Sequence, residues 1–188
     1  MKWADFVSKV QNELETGNRF FNFNIPFEEE HMLTREIAFG LRKLFADSYN
    51  VKANSTKLHH HVVYRQGDVD QDRQAWKSVW SDKWILMHGV RYVPDILIRR
   101  TLDTSTDILP IEIKYVKKTA TTQAIATAIG QSLVYSVIYP QSIVFVGVKR
   151  SIKWGRYKLN LSVQANEETL HRKLEQNGIS LILREVGV

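Results

Sequence analysis

A mixed β-sheet flanked by helices, and so an α/β fold, is what the order of hydrophobic periodicities predicts. Apolar residues recur every three to four positions near the N-terminus, and form runs rich in Ile, Val and Tyr between residues 85 and 116. Helical and strand patterns then alternate to the end. A chain of 188 residues, 44% hydrophobic and 24% charged, can bury a real core without staples and is too short for two large domains. A single domain over 1–188 is expected: an N-terminal helix at 2–16, a core at about 28–148, and a C-terminal hairpin, helix and strand at 149–188.

Each element has its own signal. Trp3, Phe6, Val7, Val10 and Leu14 lie at helical spacing and stop at Gly17, which predicts an amphipathic helix over Lys2–Thr16. The aromatic-rich NRFFNFNIPF reads as extended chain. A second helix is expected at about Glu28–Asp47, with three Glu in its first turn, where the dipole favours them, and Leu33, Ile37, Leu41 and Leu44 as its inner stripe. Glu36 falls about 60° to one side of Leu33, at the border of that stripe.

Between residues 50 and 90 the pattern is weak: a strand at Lys57–Arg65, an acidic turn at Asp68, Asp70 and Asp72, and Trp76, Trp80 and Trp84 in a row that reads as helix packing or a dimer face. Three strands follow at Ile85–His88, Tyr92–Arg99 and Ile108–Val116, the last two separated by the polar TLDTSTD turn. A hydrophobic helix is expected at Thr121–Tyr139, ended by Pro140, and a buried strand at Ser142–Lys149. Arg156–Val163 is read as its hairpin partner, Glu167–Asn177 as a helix with Asn166 as N-cap and Gly178 as stop, and Ser180–Val186 as a last strand.

Several chemistries are excluded at once. The chain has no Cys, which removes disulfides, thiolate nucleophiles, Cys-bearing zinc sites and iron–sulfur clusters. There is no P-loop, Gly-rich dinucleotide turn or G-x-S-x-G elbow. His59, His60 and His61 lack a carboxylate or Cys at ligand spacing and make a poor metal site. Asp5, Glu13 and Glu15 interrupt the apolar pattern of the first helix, so no export signal is indicated. The most apolar stretch, Ala120–Val148, is broken by Gln131, Pro140 and Gln141. It reads as helix plus strand, and a soluble, cytoplasmic protein without a membrane partner is expected.

Net charge is +6, and it is not spread evenly. From Arg91 to Lys158 eleven basic residues face four acidic ones, whereas the remainder is near neutral, with fifteen basic and sixteen acidic. A polyanionic partner fits that balance. The densest part is Lys149-Arg150-Ser151-Ile152-Lys153-Trp154-Gly155-Arg156-Tyr157-Lys158, with five basic residues, none acidic and two aromatics. It reads as a hairpin end that either contacts phosphates or is ordinary solvated surface.

One constellation carries chemistry. Asp95 stands within an apolar strand behind Pro94, where sheet hydrogen bonding must be interrupted. In the next strand, period-2 geometry puts Glu112 and Lys114 on one face and Ile111 and Ile113 on the other. The plain reading is a buried Glu112–Lys114 ion pair. Three ionisable groups on neighbouring hydrophobic strands are, however, a heavy desolvation cost for structure alone.

Pro94-Asp95, sixteen intervening residues, then Glu112-Ile113-Lys114 resembles the PD-(D/E)XK nuclease superfamily. Two further features agree: Glu36 on the preceding helix, and Gln131-Ser132-Leu133-Val134-Tyr135 on the following one, a Gln-x-x-x-Tyr found in exonuclease and recombination-nuclease branches. The resemblance spans about residues 30–148 and implies a restriction-endonuclease-like mixed sheet. It implies a metal-dependent DNA nuclease, an endonuclease before an exonuclease, with DNA as partner. Asp95, Glu112, the backbone carbonyl of Ile113 and Glu36 would hold Mg²⁺ or Mn²⁺. Asp95, Glu112, Lys114 and Gln131 would be catalytic, and Tyr135, Lys117, Lys118, Lys149, Arg150, Lys153, Trp154 and Arg156 would bind substrate. A homodimer is compatible, because cutting both strands with one site per chain invites two-fold symmetry. The alternatives are a DNA-binding or scaffold protein that keeps the fold without turnover, and an accidental motif whose charges form a structural pair.

Overall fold

The computed structural model describes residues 1–50, 63–65, 85–87, 90–102, 105–117, 122–150 and 161–188. Helix α1 (Trp3–Glu15) buries Phe6, Val7, Val10 and Leu14, the stripe its sequence announces. The chain then runs extended through Phe20, Phe21, Phe23 and Phe27, all buried. Phe23 stacks on Phe145 with centroids 5.4 Å apart. This segment passes so close to α2 (Glu30–Tyr49) that a Cβ on Gly40 would collide with the Phe21 ring and the Phe20 carbonyl. Leu33, Ile37, Leu41 and Leu44 are fully buried, and Asn50, left-handed at φ 53°, ends the helix.

Strands β1 (Val63–Arg65), β4 (Ile96–Leu102), β5 (Ser105–Val116), β6 (Ser142–Lys149) and β7 (Ile179–Val186) form a mixed sheet in the order β1-β4-β5-β6-β7. Pairing is antiparallel from β1 to β5 and parallel from β5 to β7. Strands β2 (Ile85–Met87) and β3 (Val90–Tyr92) make a separate two-stranded ribbon. The parallel half is connected by α3 (Thr122–Tyr135) and α4 (Leu161–Gln176), as parallel neighbours require. Ile111, Ile113 and Tyr115 of β5 pack in one core with α1 and α2, while Val116 packs with Val144, Val146 and Val148 against α3 and α4. The expected fold class, α/β with a mixed sheet flanked by helices, is the one observed. Seven of the eight residues of β6 are buried, the mark of a strand covered on both faces.

Several expected boundaries move. The strand expected at Tyr92–Arg99 is two strands, β3 and β4, interrupted at Val93-Pro94-Asp95, because Pro94 has no N–H for a ladder. Most of the TLDTSTD turn is strand, the β4–β5 pairing running to Leu102↔Ser105. The helix expected to reach Tyr139 ends at Tyr135 and closes with tighter bonds, Val137 N–H to Val134 C=O and Ile138 N–H to Tyr135 C=O. The hairpin partner at Arg156–Val163 is not found: both edges of β6 are taken by parallel strands, and Leu161–Val163 is already the first turn of α4. Asn166 is therefore an interior, exposed helix residue rather than an N-cap. Gly178, at φ 70°, stops α4 as expected. Residues 57–62, the acidic turn, the tryptophan row and the three His lie outside the described residues.

Candidate active site

β5 outlasts its neighbour. The last pair with β4 is Ile96↔Ile111, so among the described residues Glu112–Val116 have a strand partner, β6, on one side only. On the open edge the amides of Ile113 and Tyr115 need acceptors, and carboxylates supply them. Asp95 Oδ2 accepts from Ile113 N–H at 2.8 Å, and Glu30 Oε2 accepts from Tyr115 N–H at 3.0 Å. The N–H and C=O of one strand residue project to the same edge. The Ile113 carbonyl therefore faces the side where Asp95 sits.

The odd residues of the strand turn into the apolar core, and the even ones carry the charges. Lys114 Nζ lies 3.0 Å from Glu112 Oε1, 3.3 Å from Glu30 Oε1 and 3.9 Å from Asp95 Oδ2. Glu112 is 2% exposed, and its second oxygen accepts a 3.0 Å hydrogen bond from the Tyr135 hydroxyl. One ammonium thus faces three carboxylates.

Burial and mutual repulsion show in the proton affinities. Glu112 is pushed up to about 7, first by burial and then by the charge of Asp95, against the pull of Lys114 and the Tyr135 hydroxyl. Asp95 is raised too, burial outweighing Lys114 and the Ile113 N–H. For Lys114, burial is the largest single influence and lowers its pKa, but Glu112, Asp95 and Glu30 together outweigh it and hold the ammonium above its ordinary value. The same burial raises the Tyr135 hydroxyl, which stays protonated and donates.

Asp95, Glu112, Lys114, Ile113 and Tyr135 are thus brought together. Tyr135 is fully buried, so its contact is with Glu112 and not with a substrate. Gln131, one helical turn earlier and half-buried, makes no hydrogen bond to the carboxylates. Glu36 is elsewhere: its Oε1 accepts from Asn22 N–H at 2.8 Å. Glu30 takes the place expected of it. The signal was present in the stripe, since at about 100° per residue Glu30 lies about 20° from Ile37 and Leu41, whereas Glu36 lies about 100° away from both or more. The three first-turn glutamates read as dipole partners, and that reading concealed the one facing inward.

Among the described residues no group of three His, Asp or Glu is arranged as a ready metal cage. The donor set does fit a hard divalent cation: the Asp95 and Glu112 carboxylates and the Ile113 carbonyl are all oxygen ligands, and Mg²⁺ is commonly held by one or two carboxylates with the rest of its shell left to water and phosphate.

Of the basic residues, Lys117 is exposed, with its ammonium 6.0 Å from the Tyr115 ring centroid. Val116 is paired with Val148, so Lys117 and Lys149 are neighbours at the ends of β5 and β6, about 10 Å along the sheet from Lys114. Arg150 is exposed and donates to Asn24 Oδ1 at 2.9 Å. Lys118, Lys153, Trp154 and Arg156 lie outside the described residues. Among the described residues no helix is long and apolar enough to cross a membrane. No family model, curated protein or solved structure matches this chain.

Proposed function

We propose that this protein is a divalent-metal-dependent DNA nuclease, acting as an endonuclease in the cytoplasm. The observation that carries the reading is the open edge of β5, where two carboxylates and a backbone carbonyl face one side and a lysine ammonium lies within 3.0 to 3.9 Å of three carboxylates. Hydrolysing a phosphodiester needs an activated water, compensation for charge growing on the phosphorane, and help for the leaving oxygen. A bound Mg²⁺ or Mn²⁺ supplies Lewis acidity and lowers the pKa of its water. Asp95, Glu112 and the Ile113 carbonyl would hold it, with Glu30 replacing Glu36 as the helix carboxylate.

The chain's own groups do the rest. Lys114, kept protonated by its carboxylates, places a positive charge where the phosphorane oxygens become negative and orients the attacking water. Tyr135 fixes the Glu112 carboxylate through its hydroxyl and acts as a positioning residue. Gln131 lies on the same face of α3 one turn away, within reach of a water or phosphate oxygen. Lys117, Lys149 and Arg150 line the sheet end where the backbone of a DNA strand would pass. A homodimer would bring two such sites to the two strands of a duplex.

The test is incubation of supercoiled plasmid, linear duplex and single-stranded DNA with the protein in Mg²⁺, Mn²⁺ or EDTA, beside Asp95→Ala. Cleavage that requires the cation and vanishes in the variant is expected. Binding without cleavage in all three conditions would leave a non-catalytic DNA-binding protein, and an active Asp95→Ala would remove the metal assignment.

A further inference from the structure

Beside the candidate site, α2 and β1 enclose a cleft of about 650 Å³, and its lining follows from the same two elements. On α2, His31, Arg35, Phe39 and Arg42 fall at successive turns of one face, a stripe about 16 Å long. His31 directly follows Glu30, whose carboxylate reaches Lys114. From the other wall comes Arg65, paired in register with Ile96, the residue after Asp95. Each wall thus adjoins a residue of the carboxylate cluster along the chain or the sheet, α2 through Glu30 and β1 through the β4 residue that follows Asp95.

The chemistry of the lining is mixed in an informative way. Among the described lining residues Ile25, Phe27 and Met32 give it an apolar part, and Arg35, Arg42, Arg65 and Glu36, which accepts the Asn22 N–H, give it a charged one. Arg35 is exposed and has no ion pair with a described residue. Arg42 donates to the Val63 carbonyl at 3.3 Å, tying the two walls together. Phe39 is 46% exposed, unusual for a large apolar ring, and the Lys43 ammonium lies 4.0 Å from its centroid. Cations spaced along a groove with an exposed aromatic between them match the pattern that holds an unpaired strand, phosphates on the cations and a base on the ring.

We propose that this cleft binds a single strand of DNA leading to or from the scissile phosphate, with Arg35 on a phosphate and Phe39 beneath a base. The assignment rests on the nuclease reading of the adjoining site. Size favours an unpaired strand: the volume suits about one or two nucleotides, whereas a duplex, whose major groove alone is about 12 Å wide, cannot enter.

The experiment is fluorescence anisotropy of a labelled short oligothymidine and of a labelled duplex, in EDTA so that nothing turns over, with the full chain and with Arg35→Ala and Phe39→Ala. Both residues are exposed, and unchanged thermal melts verify that the variants fold. Phe39→Ala should weaken oligothymidine binding about five- to a hundredfold at an unchanged salt slope. Arg35→Ala should weaken it while flattening the slope of log K against log salt by about 0.7. Duplex binding should move much less. Oligothymidine affinities equal to wild type in both variants overturn the cleft, and an equal loss for duplex overturns the single-strand assignment. Cleavage by the unmodified chain in Mg²⁺ is scored separately, so a failed cleft with intact cleavage leaves the nuclease reading standing. A weakened variant series with no cleavage by the unmodified chain keeps a strand-binding cleft but overturns its link to a scissile phosphate.

Discussion

Replacing Glu112 by Gln should make the metal-free protein more stable at high pH relative to wild type, even as it removes cleavage. The carboxylate is 2% exposed and its pKa rises from 4.5 to about 7 on folding. Between those values the folded chain binds more protons than the unfolded one. Stability from this group is therefore greatest below pH 4.5 and declines until about pH 7 is passed. A difference of 2.5 pH units at about 1.4 kcal/mol each is about 3 kcal/mol. The amide imitates the protonated acid and does not titrate, so the variant escapes the decline. For a chain of this length, about 2–4 °C per kcal/mol converts the effect to about 6–12 °C in melting temperature. The assay is a series of thermal melts in EDTA from pH 5 to above pH 8, plotted as variant minus wild type. A difference that grows with pH across that window is expected, and parallel curves for the two proteins would refute the electrostatic argument. Adding Mg²⁺ at a hundred times its dissociation constant should stabilise wild type by about 2.7 kcal/mol and the variant by much less.

Lys114→Ala should lower turnover by about a thousandfold or more while oligonucleotide binding in EDTA stays within a few-fold, because the ammonium acts on charge that develops only in the transition state; single-turnover cleavage beside anisotropy reads both. Gln131→Ala should cost about ten- to a hundredfold in the same cleavage assay, and full activity would separate this chain from the Gln-x-x-x-Tyr pattern. Tyr135→Phe removes a hydrogen bond to a buried carboxylate, worth about 1.5–3 kcal/mol, and should raise the Glu112 pKa further, moving the acidic limb of the pH–rate profile upward. Arg184 donates to the carbonyls of Glu13, Leu14 and Gly17 at the end of α1, so Arg184→Met should lower the melting temperature by a few degrees, read by circular dichroism, with cleavage retained below the transition.

What could be read from the sequence was whatever depends on short-range geometry. Glu112 and Lys114 share a face because strand side chains alternate, and Pro94 marks the break that frees Asp95 from the ladder; both hold without knowledge of the rest of the chain. The inner stripe of α2 was legible for the same reason. What escaped depends on pairing between distant segments. A run such as Ser142–Lys149 looks alike whether its neighbours are parallel or antiparallel, and only the placement of β5 and β7 on its two sides shows that no hairpin partner is needed. Glu30 escaped because two causes explain a glutamate in a first helical turn, and its inward contact is visible only once Tyr115 N–H is found eighty-five positions away in sequence. The α2–β1 cleft was hidden likewise, since Arg35 and Arg65 come to line one cleft through the fold alone.

The ion-pair reading of Glu112 and Lys114 is not a rival to the nuclease reading at the level of geometry, because the pair exists, at 3.0 Å. The two readings differ in what the pair is for. A pair kept for structure gains from complete neutralisation, since each charge taken out of water costs several kcal/mol unless its partner compensates it. Here the compensation is incomplete: among the described residues Glu30, Asp95 and Glu112 surround one ammonium, and burial first, with the charge of Asp95 on Glu112 and of Glu30 on Asp95 added to it, raises the affinity of Glu112 and Asp95 for protons. Two of those carboxylates, moreover, accept backbone amides at the one edge of β5 that β4 leaves open. A stabilising arrangement would close that edge with another strand residue and leave one acid beside one base. Among the described residues, three carboxylates around one ammonium at that edge, next to the Ile113 carbonyl, are instead the arrangement that gains most when a cation arrives.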